Sequence, residues 1–220
     1  LDTLDVLKEA YSSARSIGIN LPLPWDVPED DPRVYRLIGD ADVLGLFQLE
    51  GNTLAGLCKP IQPKSIEDIS LINALGRPSI DKDKRQQFID RRFGREQLKY
   101  AHAELKEIAE PTLGISLYDE DLLRIAVKIA GWPLYKADGL RKLTKLKEKG
   151  AALAEQLEID FVNDSTEKGL VTRDEAKYIW SNVIADYAKY GFCKAHSIAY
   201  SKLGYQTAYY KTHARAAFMC

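Results

Sequence analysis

Methionine, cysteine and histidine are scarce in this chain: among 220 residues there are one Met, three Cys and three His. Cys58, Cys193 and Cys220 form an odd, widely spaced set, unlike the even frameworks that staple small secreted domains. They fit a reducing compartment, most simply a cytoplasm. Cys193 and His196 stand close enough in sequence to share a metal, but no further ligands of a structural zinc site are at hand. Both therefore read as non-ligands, and no metal site is expected on the chain. No apolar run approaches the roughly 20 residues of a membrane-spanning helix, which argues against an integral membrane protein. The chain opens Leu1-Asp-Thr-Leu-Asp5, with neither Met nor the basic flank of a signal peptide, and so reads as a piece excised from something longer. Also missing are a Walker-type loop, a dinucleotide fingerprint and a zinc-hydrolase motif. Internal repeats, low-complexity tracts and alternating strand ladders are absent too.

What is present is a chain with 45% hydrophobic and 29% charged residues. That composition excludes disorder, and the length suffices for one large or two small domains with ample core. A net charge of −1 hides a strong asymmetry. Residues 1–50 hold ten acids and four bases, whereas residues 82–99 hold seven bases against three acids. Residues 136–149 hold six bases against two acids, and from Lys189 onward there are five bases and no acid. Three basic blocks in a neutral chain suit a surface that faces phosphates, although a charge run is more often a solvated helix face.

Helical signals dominate. Leu4, Leu7, Tyr11 and Ala14 recur at helical spacing before Gly18. Four prolines within residues 19–32 predict an extended connector, and Asp31-Pro32 reads as an N-cap with a first-turn proline for a helix closing at Gly39. Residues 42–50 read either as a buried strand or as a turn with one helical end. Ser116-Leu-Tyr-Asp119 has the pattern of a capping box, with Leu122, Ile125, Ala126 and Ile129 on one face and Gly131 as the stop. Thr172-Arg-Asp-Glu175 is a second capping box, followed by an Ala176, Ile179, Val183, Tyr187 stripe. A last helix is expected from Ser197 to about Lys211. The expected class is mainly α: an irregular multi-helix domain with long loops and little or no sheet.

Three segments carry candidate chemistry. Tyr190-Gly-Phe-Cys-Lys-Ala-His-Ser197 places Lys194, His196 and Ser197 at a helix N-terminus, where free N–H groups and a partial positive charge suit an anion. His196 and Ser197 are no catalytic pair, because sequence neighbours rarely meet that geometry and no orienting carboxylate is near. In Ala137–Lys147, a helix would put Arg141 and Lys145 one turn apart with Lys142 beside Lys145, a cationic ridge suited to a triphosphate or a DNA backbone. Gly76-Arg-Pro78 and Phe88-Ile-Asp-Arg-Arg-Phe-Gly-Arg95 interleave bases with aromatics, as backbone contact and base stacking require. Taken singly, the first two read more simply as a helix cap and a solvated amphipathic helix, and in the third the aromatics read equally as core.

Taken in order, these segments resemble the bacterial C-family replicative DNA polymerases, the alpha subunit of DNA polymerase III. Leu46-Phe-Gln-Leu-Glu50 is similar to the family's (V/L)FQLES element. Ile66-Glu-Asp-Ile69 with Ala74-Leu-Gly-Arg-Pro78 resembles its FED…AL.RPG stretch, and Phe88–Arg95 its FI.RK.G(R/K) segment. Pro111–Glu120 resembles PTYGI..YQEQ, Ala137–Lys142 resembles AD.LRR, and Tyr190–Tyr200 resembles YGFNKSHSAAY. Tyr205-Gln-Thr-Ala208 and Lys211 continue the pattern. Lys142 stands for the second Arg of that pair, without the planar fork. Lys145 and Leu146 stand for a glycine and a lysine, Asp119 and Asp121 for glutamines, and Cys193 for asparagine. Gly51-Asn-Thr replaces the usual Ser-x-Gly. The chain is compact beside the bacterial subunits, which points to a divergent or phage-borne member.

The resemblance implies the fingers region of a DNA-directed DNA polymerase. Residues 1–40 would be a helix and proline-rich connector following the palm, and residues 41–220 the helical fingers domain. The palm aspartates that hold Mg²⁺ would lie upstream of Leu1, and Asp2 is not assigned to metal. No catalytic residue is therefore expected on this piece, which by itself should be inactive. The implied chemistry is two-metal nucleotidyl transfer from a dNTP to a primer 3′-hydroxyl. By resemblance Arg141, Lys142, Lys194, His196 and Arg77 would bind the dNTP. Arg91, Arg92, Arg95, Lys145 and Lys147 would face primer–template DNA, without reading its sequence. A sliding clamp and other replisome proteins would engage other parts of the parent. The rival expectation is a non-catalytic helical nucleic-acid-binding module descended from such a polymerase.

Overall fold

The computed structural model describes residues 2–146, 151–187 and 191–219. Among them no strand forms, and one isolated parallel bridge joins Tyr118 to Phe192. No helix is long and apolar enough to cross a membrane among the described residues. The chain divides into two compact units. One combines the residues up to Arg77 with those from Ala195 onward, and the other spans Pro78–Lys194.

The first unit starts with α1 (Asp2–Ser16), which buries Leu7, Ala10 and Ala14 and leaves Leu4 exposed. The connector that follows is extended apart from a 3-10 turn at Pro24–Asp26. Helix α2 (Pro32–Gly39) begins as the sequence predicts. The Asp31 side chain accepts the Arg33 N–H, and Pro32 fills a position whose N–H would have no partner. Residues 42–50 form turns, which settles the choice the sequence leaves open. Helices α3 (Asn52–Ile61) and α4 (Ile66–Leu75) follow, α2 packing on α3 and α3 on α4.

The first unit is completed by the last two helices of the chain, α13 (Lys194–His213) and α14 (Arg215–Met219), the latter against α1. One polar seam along α13 ties this unit together. Ser197 Oγ receives a hydrogen bond from Ser70 Oγ (2.8 Å), and Ser201 Oγ one from Asn73 Nδ2 (3.1 Å). Tyr205 Oη accepts the Asp31 N–H (3.0 Å), and Tyr210 Oη donates to the Pro22 carbonyl (2.7 Å). Lys211, with its side chain fully buried, donates to the carbonyls of Asp42 (3.0 Å) and Leu44 (2.8 Å) and to Asp42 Oδ1 (2.8 Å). These positions recur at roughly helical spacing, so one face of α13 is read by polar rather than apolar partners.

The second unit holds α5 (Lys82–Arg92), α6 (Lys106–Ala109), α7 (Asp119–Ala130), α8 (Leu134–Ala137), α9 (Arg141–Leu146), α10 (Ala151–Lys168), α11 (Arg173–Ile179) and α12 (Ala185–Tyr187). Helix α10 packs on α7 and α11. Its Phe161 meets Trp132 edge-on at 5.9 Å and Trp180 at 5.8 Å, and all three rings are buried. Asp164 accepts from Trp132 Nε1 and Lys136 Nζ, each at 2.6 Å.

Two local expectations need correction. The Ser116 capping box does not form: α7 starts at Asp119, its N-cap is Tyr118, and no side chain caps it. Tyr118 is extended (φ −116°, ψ 142°) because it bridges Phe192, whose carbonyl takes the Asp119 N–H at 2.9 Å. The bridge thus sets the helix start. Gly131 does end α7, in the left-handed region at φ 70°. The Thr172 capping box forms as predicted, with both reciprocal bonds. The stripe behind it does not run on unchanged. A π-turn over Trp180–Ile184 inserts one residue, so the buried positions become Ile179, Ile184 and Tyr187, with Val183 only partly covered.

Candidate functional site

Within the second unit the first turn of α7 gathers several of the residues singled out from sequence. Asp119, Glu120 and Asp121 follow one another there, acids at the positive end of a helix. At about 100° per residue they point three ways. Asp119 accepts a hydrogen bond from the buried Tyr187 hydroxyl and lies 3.3 Å from Arg141 Nε. Burial, reinforced by the Asp119 carboxylate, pushes the Tyr187 phenol far above its ordinary range, so it is a permanent donor. Arg141 also approaches Asp138 (3.3 Å), and its side chain remains 42% exposed. The adjoining Asp119 charge, then the Asp138 contact, raise the guanidinium's pKa further.

Glu120 turns to the segment on the other side of the bridge. It accepts the Lys194 backbone N–H at 2.8 Å and the Cys193 thiol at 3.5 Å. Lys194 Nζ then lies 5.6 Å from the Tyr118 ring centroid, a cation–π distance. Gly191 is demanded here by close approach. A Cβ at that position would collide with the Tyr187 hydroxyl and stand 2.8 Å from Asp119 Oδ1. Arg141 and Lys194, 53 residues apart in sequence (194 − 141), are therefore both anchored on consecutive residues of α7.

The other predicted residues fall elsewhere. Lys142 is exposed at the start of α9, Lys145 lies in that helix, and Lys147 lies outside the described residues. Arg77 and His196 belong to the first unit. Arg77 is half-buried just after the Gly76 C-cap of α4, and His196 is exposed with its ring 4.0 Å from that of Tyr200. The three arginines near the end of α5 differ in direction. Arg91 is turned inward, 10% exposed, donating to Glu96 Oε1 (2.9 Å) and the Leu113 carbonyl (2.8 Å). Arg92 is half-buried. Arg95 is open to solvent at 61% exposure, 3.2 Å from Asp90 and 5.2 Å from the exposed Phe93 ring.

Sequence reading missed Asp119, Glu120 and Tyr187 as the groups that set this corner. Three successive acids at a helix start are a legible signal, but which cation each one meets is not. Electrostatically, the corner pairs the Arg141 side chain with acids and holds Lys194 through its main-chain N–H. Among the described residues no group of three or more His, Cys, Asp and Glu could hold a metal ion.

The class these features define is a helical scaffold with an acid-paired arginine at a partly solvent-open corner. The comparisons make the class specific. Residues 1–169 match the family described as the bacterial DNA polymerase III alpha subunit finger domain. Over the whole chain it is 37% identical to the DNA polymerase III subunit alpha of Helicobacter pylori (strain 26695) and 33% to that of Borreliella burgdorferi. It is 39% identical to the Vibrio cholerae subunit over 88% of the chain. The chain belongs to the DNA polymerase III alpha finger family. It spans only 18%, 19% and 17% of those three relatives, respectively.

Proposed function

We propose that this chain is the fingers region of a DNA-directed DNA polymerase, and that Arg141 and Lys194 grip the triphosphate of the incoming dNTP. The observation that supports this most directly is their common anchorage on Asp119 and Glu120. Arg141 keeps a solvent-open guanidinium, and its contacts at 3.3 Å are long enough to yield to a phosphate oxygen. Each such charge-assisted bond is worth about 1.5–3 kcal/mol when well aligned. Lys142, exposed at the start of α9, extends the ridge. Arg92 and Arg95 face the primer–template backbone, and Arg91 supports that face from inside through Glu96.

In the parent polymerase, nucleotidyl transfer uses two Mg²⁺ ions. The acids described in this chain do not form a cluster fit for them, so no step is routed through a metal here. What these residues do is bind, orient and neutralise. In the parent, residues 1–40 lead from the palm, residues 41–220 form the fingers, and primer–template DNA and dNTP are the substrates.

The test is steady-state incorporation by the full-length parent. Arg141→Ala should lower kcat/KM for dNTP by about 10- to 100-fold, with an unchanged melting temperature. If dNTP kinetics stay the same and DNA affinity falls with a shallower salt slope, the non-catalytic binding module is the better account.

A further inference from the structure

The two acids that face Arg141 both belong to the second unit, and they are held differently. Asp119 approaches Nε and Asp138 approaches Nη1, each at 3.3 Å. A guanidinium grips a phosphate with two adjacent nitrogens, either Nε with Nη2 or Nη1 with Nη2. Each of those forks therefore contains one nitrogen that already faces a carboxylate.

The two carboxylates are not equally free to leave. Asp138 opens a 3-10 turn (Asp138–Leu140) with its side chain 55% exposed, so it turns into water as a phosphate arrives. Asp119 is fixed. Its side chain is 14% exposed, and one of its oxygens accepts from the hydroxyl of Tyr187, a fully buried residue. Its backbone N–H is tied to the Phe192 carbonyl at 2.9 Å, and Gly191 supplies the clearance beside its Oδ1. A phosphate oxygen that reaches for Arg141 Nε thus finds that place held by an oxygen that stays. A partly buried ion pair is also less screened by water and salt than an exposed one.

We propose that Asp119 is a positioning residue that competes with the incoming triphosphate for Arg141 and so weakens nucleotide binding, without entering the transfer step. The inference rests on the polymerase reading of Arg141. Tyr187 is the support that keeps the competitor in place.

The experiment is single-turnover incorporation of one dNTP by the full-length parent, which separates nucleotide Kd from the maximal rate. Asp119→Asn keeps a carbonyl oxygen for the Tyr187 hydroxyl and removes the charge. It should lower Kd by about three- to tenfold, with the maximal rate changed by less than about twofold. Asp138→Asn should lower Kd by less than about twofold, since water already screens that acid. In an Arg141→Ala background, Asp119→Asn should leave Kd within about twofold, because its effect passes through the guanidinium. An equal gain in that background would overturn the competition. If Arg141→Ala alone leaves Kd unchanged, the polymerase reading of Arg141 fails and the proposal with it. If Arg141→Ala weakens binding and Asp119→Asn does not tighten it, the proposal alone fails. An Asp119→Asn protein that does not fold overturns it as well, because the charge would then be structural.

Discussion

The two units treat buried charge in opposite ways. In the first, Lys211 is buried completely and meets three oxygen acceptors, and Asp31 meets three N–H donors of Arg33 and lies 2.8 Å from His213 Nε2. In the second, Asp121 is nearly as deep and none of the described residues donates to it. The pKa directions follow. Hydrogen bonds from Arg33, above all, bring Asp31 down from 3.8 to about 2, whereas burial takes Asp121 up from 3.8 to about 6. A buried charge with its own partners is a structural fastening. One without hydrogen-bond donors has its proton affinity set by burial, opposed by the more distant charges of Lys194 and Arg124.

The comparison breaks first at Lys211. Lys211→Ala should destabilise by about 3–5 kcal/mol in urea unfolding, because it strands two carbonyls and leaves a cavity. A loss under about 1 kcal/mol would remove the fastening argument for this group. Asp121→Asn should act in the other direction. The acid binds its proton more tightly in the folded chain than in the unfolded one, so its contribution is fully present below pH 3.8 and falls as pH rises through about 6. The variant should therefore be about 2–3 kcal/mol more stable than the parent chain at pH 7.5, the gap closing near pH 4. A pH-independent gap would mean that the carboxyl titrates alike in the folded and unfolded chain.

A smaller effect, about 1–2 kcal/mol at neutral pH, is expected for Asp31→Ala through the lost N-cap of α2. Its pH signature is opposite in sign. The depressed carboxyl contributes stability above about 3.8, which disappears as pH falls through about 2. Acid titration of the Asp31→Ala chain should therefore lack part of the limb below pH 4. The smallest effect is Thr172→Ala, about 1 kcal/mol by thermal melting, which removes the capping box of α11. It sharpens the comparison by showing that the second unit also holds satisfied polar groups, so Asp121 stands apart from its own surroundings as well.

Much of the fold was legible because its signals are local. Asp31-Pro32 fixes the start of α2, Gly131 the end of α7, and Thr172-x-x-Glu175 the start of α11. Ser116 misled because a backbone bridge to Phe192, 74 residues away (192 − 118), outcompeted the same kind of cue. Val183 misled because a π-turn shifts register without leaving a mark in hydrophobic spacing. For the candidate site, the basic segments and their family likeness were readable. That Arg91 points inward while Arg95 points outward was not, since both sit in one run of alternating bases and aromatics.

The sequence by itself determined the helical class, most helix ends, the basic blocks and the family. These rest on interactions among residues a few positions apart, or on motifs preserved in order. Only the tertiary structure decided that Asp119 meets Tyr187 across 68 residues, that Glu120 holds the Lys194 main chain, and that Asp121 is buried. Three adjacent acids look alike in a string of letters. Their different fates arise because a helix turns each through about 100° toward a different neighbour, and the neighbours come from distant parts of the chain.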